Sequence, residues 1–274
     1  MESVEGKVVL ITGAGRGMGA LYARRAAEEN AAVVVLWDID ADALASVEKE
    51  LTASGTTVLS HTVDVSRLEA IQAAARHVIA AVGTPDVVIN NAGVVRSSWF
   101  WEHDPLRDTQ FTMAINALAP MHVAREFLPG MIANTSGESR ILNIASAAGT
   151  VSNPKMSVYA ASKWAVIGWS DSLRLELEEA GHRHVKVTTF APSYIDTGMF
   201  EGARGPLLAP IMKPDYAVTR AWTAMLRGRP MLLLPWSVSL AKVLKGILPV
   251  RVWDAVGGRM FGIYRSMDHF VGRG

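Results

Sequence analysis

Three side chains in the second half of the chain have the types and spacing for proton chemistry on an alcohol. Tyr159 and Lys163 are four residues apart, which puts a phenol and an ammonium one turn apart on one helix face. Ser146 precedes the tyrosine by thirteen residues and offers a hydroxyl from a neighbouring strand end. An alcohol carbon gives up hydride most readily as its hydroxyl proton is withdrawn, so the reaction needs a base. A phenol of ordinary pKa, near ~10, is a poor one at neutral pH, and a nearby cation favours the phenolate. We therefore expect Tyr159 to be a general acid/base, Lys163 to tune it, and Ser146 to orient the substrate oxygen. Alone, the Tyr159/Lys163 pair would read equally well as part of an ordinary amphipathic helix.

A second signal removes that ambiguity. Near the N-terminus, Val8-Val9-Leu10-Ile11 leads into Thr12-Gly13-Ala14-Gly15-Arg16-Gly17-Met18-Gly19. Glycines where a strand turns into a helix permit positive φ, let the backbone approach a pyrophosphate and allow close helix–sheet packing. The spacing is Gly-x-x-x-Gly-x-Gly, unlike the general dinucleotide fingerprint. Asp38 ends the next strand-like run 19 residues after Gly19, where a carboxylate can accept hydrogen bonds from adenosine ribose hydroxyls. Its plainer alternative is a solvated turn acid beside Asp40 and Asp42. A nucleotide cradle and an alcohol acid/base together point to hydride transfer.

The elements that must position these groups are legible as an alternation. Strand-like runs occur at Val8–Thr12, Val33–Trp37, Thr57–Val63, Val87–Asn90, Arg140–Ala145, Val185–Phe190 and Met231–Leu234. They are apolar at consecutive positions, as strands buried on both faces are. Helical segments are expected at Met18–Glu29, Ala41–Ala53, Leu68–Val82, Arg107–Ile132, Ser157–Ala180 and Asp215–Arg227. The pattern predicts an α/β fold: one Rossmann-type domain over residues 1–274, with a doubly wound parallel sheet of seven strands and helices on both faces. An apolar lid is expected at 198–214 and a basic, apolar helical extension at 236–274, with stripes at Val238–Leu248 and Val250–Phe261.

With these motifs in order, the chain resembles the short-chain dehydrogenase/reductase family from about residue 6 to residue 235. Thr12-Gly13-x-x-x-Gly17-x-Gly19 matches its glycine motif, and Asn90-Asn91-Ala92-Gly93 its fourth-strand motif. Asn116, Ser146, Tyr159 and Lys163 match its catalytic four. The resemblance implies that Asn116 bends its helix and holds a relay water, although by itself it could be a helix-surface asparagine. It also implies that Lys163 holds the nicotinamide ribose, that Asp64 contacts the adenine ring and that Thr197 bonds the carboxamide. Arg16, Met18, Val65, Pro192 and Ile195 complete the implied cofactor set, together with Tyr159 and Lys163 themselves. The chain departs from the family at Pro192-Ser193, where Pro-Gly is usual. The tail is similar to that of the branch acting on retinoids, steroids and long-chain alcohols.

Asp38 would repel a 2′-phosphate, so NAD is the expected cofactor and an apolar alcohol or ketone the expected substrate. Arg16, which could neutralise that phosphate, keeps an NADPH-dependent ketoreductase as the alternative. A nucleotide-sensing module without turnover is the alternative outside enzymes. An extended-branch epimerase would need different glycine spacing.

Composition narrows the remaining classes. The net charge is +1, which provides no global field to recruit nucleic acid. There are no cysteines, which removes disulfides and thiolate chemistry and fits a reducing cytoplasm. The start of the sequence has no signal-peptide profile, and Met231–Ala241 is far shorter than the roughly 20 apolar residues of a membrane span. His182-Arg183-His184 reads as a solvated turn with no ligand cluster. Charge is uneven: residues 220–274 hold 9 basic and 2 acidic residues. That tail is expected either to pack on the subunit's own core or a neighbouring subunit, or to meet a membrane surface peripherally. Trp99-Phe100-Trp101 is placed equally well in the core or at the pocket. The two long helices, with Trp164, Ile167, Gly168 and Ser172 on the second, predict a homo-oligomer, a tetramer or dimer.

Overall fold

A computed structural model describes residues 1–202, 205–268 and 270. Seven strands, β1 (Val8–Thr12), β2 (Val33–Asp38), β3 (Val58–Thr62), β4 (Val87–Asn90), β5 (Ser139–Ile144), β6 (Val185–Pro192) and β7 (Met231–Leu234), form one parallel sheet in the order β3-β2-β1-β4-β5-β6-β7. Successive strand residues point to opposite faces, and both faces are covered. Val9 and Ile11 enter one core while Leu10 enters the other; Val34 and Leu36 likewise oppose Val35 and Trp37. This is why the strands read as unbroken apolar runs.

Helices α1 (Gly17–Glu28), α2 (Ala41–Ala53) and α7 (Pro214–Leu226) cover the first face. There Tyr22 stacks on Trp222, with ring centroids 6.3 Å apart. Helices α3 (Leu68–Val82), α5 (Ala119–Ala133) and α6 (Ser157–Glu179) cover the second. The chain reverses its direction of progress between β1 and β4, which opens the crevice where ligands bind in such sheets.

The predicted helix Arg107–Ile132 is not continuous. It runs through a wide-turned stretch at Pro105–Gln110, a single turn α4 (Phe111–Met113), a second wide-turned stretch at Ala114–Leu118, and then α5. Asn116 lies inside that second stretch, and such widened turns gather at functional sites. β6 runs two residues beyond its predicted end, so Pro192 closes the strand opposite Leu234. Ser193 then donates its N–H to Leu234 O at 2.7 Å. It is not among the residues with positive φ, so the departure from Pro-Gly leaves this turn unstrained.

After β7 the tail forms α8 (Trp236–Ile247), α9 (Val250–Trp253) and a wide-turned stretch Asp254–Met260. The lid expectation includes Ala203 and Arg204, and the tail expectation includes His269 and 271–274; these lie outside the described residues.

Candidate active site

The glycine turn is built by close approach. Gly13 and Gly17 have φ of +65° and +55°, a region that side chains disfavour. A Cβ on Gly19 would fall 1.9 Å from Gly13 O, and one on Gly13 would fall 2.9 Å from Ala92 Cα. The β1 turn and the end of β4 are stitched together. Thr12 Oγ1 accepts from the N–H groups of Asn91 (3.0 Å) and Ala92 (3.1 Å), and Asn91 Nδ2 donates to the carbonyls of Thr12 and Gly13. Thr12 and Asn91 thus shape the cradle. This shape, which only glycine can line, fits the pyrophosphate of a dinucleotide at the start of α1.

Asp38 is buried, and both its oxygens accept backbone donors, Oδ2 from Gly15 N at 2.8 Å and Oδ1 from Asp40 N at 3.0 Å. It is therefore fixed at the edge of the cradle, which overturns the reading of a solvated acid. Arg16 forms an ion pair with Asp40. Of the other implied contacts, Asp64 Oδ1 accepts from the N–H and hydroxyl of Ser66, and Val65 is buried in the second core. Met18 packs against the first core. Ile195 is buried and bridges Met212. Thr197 lies 3.6 Å from the position a Cβ on Gly17 would take, so it borders the same turn.

Around Tyr159 the sheet ends, the widened turn and α6 converge. Asn116 is fully buried, which overturns the surface alternative. Its Oδ1 accepts from Val94 N and its Nδ2 donates to Val94 O, both at 2.8 Å, and Nδ2 also reaches Ser162 Oγ at 3.2 Å. It thereby clamps the loop after β4 to α6. Gly93 stands between them, and a Cβ there would be 3.3 Å from Asn116 Oδ1 and 3.7 Å from Lys163 Nζ. Lys163 donates to Ile144 O at 2.9 Å and stands 5.8 Å over the centre of the Tyr159 ring.

Both titrating groups are buried, and burial acts oppositely on them because it penalises whichever form is charged. It pushes the Tyr159 phenol up to about 12, with the Ser146 hydroxyl pulling the other way, and pushes the Lys163 ammonium down to about 8. Burial is thus the largest influence on both groups.

Ser146 and Tyr159 open on a mainly apolar cavity, to which Asn153, Ser193, Tyr194 and Ser237 add the other polar groups. Its far wall comes from the tail: Val238, Ala241 and Leu244 of α8, with Trp253 and Phe261 beyond. Leu208 and Phe200 of the lid close a further side, and Phe200 meets Tyr159 and Tyr194 edge-on. The tail is pinned by a buried hydrogen-bonded triad in which Tyr194 donates to Ser266 Oγ at 2.8 Å and Asn153 Nδ2 reaches Ser266 at 3.0 Å. Sequence reasoning missed Asn153, Met156 and Tyr194. The signal available was small, an aromatic two residues past the end of β6. Trp99, Phe100 and Trp101 lie outside the cavity, and Trp99 stacks on Trp101 at 5.1 Å. His184 Nε2 sits 3.1 Å from Met131 O.

Comparison with known proteins agrees with this geometry. The chain is 34% identical over 276 residues to epidermal retinol dehydrogenase 2 of Mus musculus, covering 99% of this chain and 87% of that protein. It overlays the crystal structure of a short-chain dehydrogenase/reductase from Burkholderia phymatum in complex with NAD, with TM-score 0.81 and 28% identity, over 94% of this chain and 97% of that one. A metagenomic short-chain oxidoreductase in complex with NADP overlays with TM-score 0.70 and 33% identity, over 84% and 96%. Residues 7–206 match the family model of short chain dehydrogenases, and the chain belongs to that family.

Proposed function

We propose that this protein, acting as one catalytic domain, is an oxidoreductase that moves a hydride between NAD and an apolar alcohol or ketone. The observation that carries this reading is the placement of Ser146 and Tyr159 on a cavity walled mainly by apolar side chains. The name of the mouse relative, a retinol dehydrogenase, supports an apolar alcohol. The dinucleotide supplies the hydride carrier and, when oxidised, a positive charge. Gly13, Gly17, Gly19 and the end of β4 would hold its phosphates, Asp38 would receive the ribose hydroxyls, and Asp64, Val65, Pro192, Ile195 and Thr197 would border it.

In the alcohol-forming direction, the Tyr159 hydroxyl donates its proton to the carbonyl oxygen, and Ser146 donates a hydrogen bond that orients that oxygen. In the reverse direction Tyr159 accepts the hydroxyl proton. Lys163 stays a cation at neutral pH, since its ammonium titrates near 8, and it helps hold the ribose. Asn116 is a positioning residue that keeps the loop after β4 against α6. NAD is favoured over NADP because Asp38 is fixed and Arg16 is engaged by Asp40.

The groove between α5 and α6, which includes Leu128, Trp169 and Leu173, supports a homo-oligomer, tetramer or dimer. Trp164 on α6 is exposed as well, with Lys245 of the tail 5.1 Å from its ring centre. Among the described residues no helix is long and apolar enough to cross a membrane. We place the protein in the cytoplasm, a reading supported by its lack of cysteine.

A homologous series of secondary alcohols, followed by nicotinamide absorbance, tests the function. We expect kcat/KM to rise by up to about tenfold for each two added methylenes, at ~0.8 kcal/mol apiece. A flat or falling series rejects the apolar pocket, and bound NAD without turnover of any alcohol favours the nucleotide-sensing alternative.

A further inference from the structure

Helix α8 is apolar on two sides. Its inner side, with Val238, Ala241 and Leu244, faces the cavity. On its outer side Trp236, Leu240, Val243 and Ile247 are exposed, and Val250 continues the line past the helix end. Those positions advance by four, three, four and three residues, so they form one stripe along a helix. The exposure is large, 66% for Trp236 and 74% for both Ile247 and Val250. Met260 of the tail and Leu207 and Ile211 of the lid are exposed as well. Lid and tail are joined, with Leu207 N donating to Phe261 O at 3.2 Å.

The charge around this face is predominantly positive: residues 220–274 hold 9 basic and 2 acidic residues, against one exposed acid, Glu201, in the lid. Lys242, Arg251 and Arg259 are exposed in or beside it. Of the two acidic residues in the tail, Asp268 pairs with Lys155 and Asp254 accepts a hydrogen bond from the Tyr264 hydroxyl, so the cations outnumber the acids here. A symmetric dimer through this face would set the patch against its own copy, bringing cations to cations. An anionic lipid surface supplies both an apolar phase for the stripe and charge for the lysines and arginines. The cavity meets the same face, because Leu240 and Leu208 both line it and are exposed.

We propose that the outer face of α8, with the adjoining lid, docks on an anionic bilayer and turns the mouth of the cavity toward the lipid, from which apolar substrate enters. The substrate half of this statement rests on the apolar-alcohol reading above; the docking half does not.

The test is co-sedimentation with vesicles of phosphatidylcholine and phosphatidylserine in equal parts, against vesicles of phosphatidylcholine alone, at low and high salt. The unaltered protein should sediment with the mixed vesicles and be released by salt. Lys242→Glu/Arg251→Glu should weaken that binding by at least about 25-fold, since each cation near such a surface contributes roughly fivefold. Trp236→Ser/Val243→Ser/Ile247→Ser should abolish it. Both variants should keep normal turnover of a short, water-soluble secondary alcohol, which also shows that they fold. Both should lose rate on a long-chain alcohol delivered in the mixed vesicles. Absence of vesicle binding, or binding that neither variant changes, overturns the proposal. So does a fall in oligomer mass for the serine variant by light scattering, which would make the face a subunit interface. Vesicle binding with no turnover of any alcohol would uphold the docking face and refute the apolar-alcohol reading instead.

Discussion

The two ends of the ligand crevice are made in different ways. The nucleotide end is made of backbone: positive-φ glycines, carbonyls in near contact, and one carboxylate held by two N–H groups. The substrate end is made of side chains gathered from the loop after β5, the lid and the tail, and held by apolar packing and the Tyr194–Ser266–Asn153 triad. Backbone geometry tolerates almost no substitution, whereas an apolar wall accepts many shapes of similar volume. The contrast explains how one end can be dedicated to a fixed carrier while the other is free to be fitted to a particular alcohol.

The largest test acts where the two ends meet. Tyr159→Phe keeps the ring that packs on Phe200 and removes the hydroxyl that carries the transferable proton. We expect a loss of at least ~10²-fold in kcat, with NAD affinity, read by fluorescence titration, nearly unchanged. In the unaltered protein the phenol stays a proton donor through the neutral range, because burial pushes it up to about 12, whereas Lys163 loses its charge above about 8. Ketone reduction should therefore hold up to pH 8 and fall above it, while alcohol oxidation, which needs the phenolate, should climb with pH. Parallel profiles in the two directions would assign the proton transfer to another group.

Gly19→Ala tests whether the nucleotide end is as rigid as its contacts imply. The added methyl group would meet Gly13 O at 1.9 Å. Overpacking of about 1–3 kcal/mol corresponds to a loss of NAD affinity on the order of 10–100-fold. Binding by the alanine variant at normal affinity would show that the turn can give way.

Cofactor choice should depend on a single carboxylate. A fixed Asp38 beside a 2′-phosphate costs ~2–3 kcal/mol after screening, so kcat/KM should favour NAD by at least about tenfold, and Asp38→Ser should narrow that gap. Equal or better efficiency with NADP in the unaltered protein would reject the assignment.

The smallest effect belongs to the substrate end. Leu244→Ala removes part of the tail's wall without touching the cradle, and should lower kcat/KM for a long-chain alcohol several-fold while leaving NAD affinity alone. A matching loss of NAD affinity would mean that the two ends are not separable.

The sequence by itself determined the sheet, the glycine turn, Asp38 and the Ser146–Tyr159–Lys163 set. Each is encoded locally: consecutive apolar residues where a strand is covered twice, glycine where a Cβ would collide, and four-residue spacing on one helix face. Only the tertiary structure decided three other matters. It decided that burial raises the phenol and lowers the Lys163 ammonium, since desolvation depends on everything packed around a group rather than on its neighbour in sequence. It revealed the widened turn at Asn116, which a helical pattern read as continuous helix conceals. And it decided that one side of the tail walls the cavity while the other stays exposed, because an apolar stripe records that a face is to be covered and says nothing about what covers it.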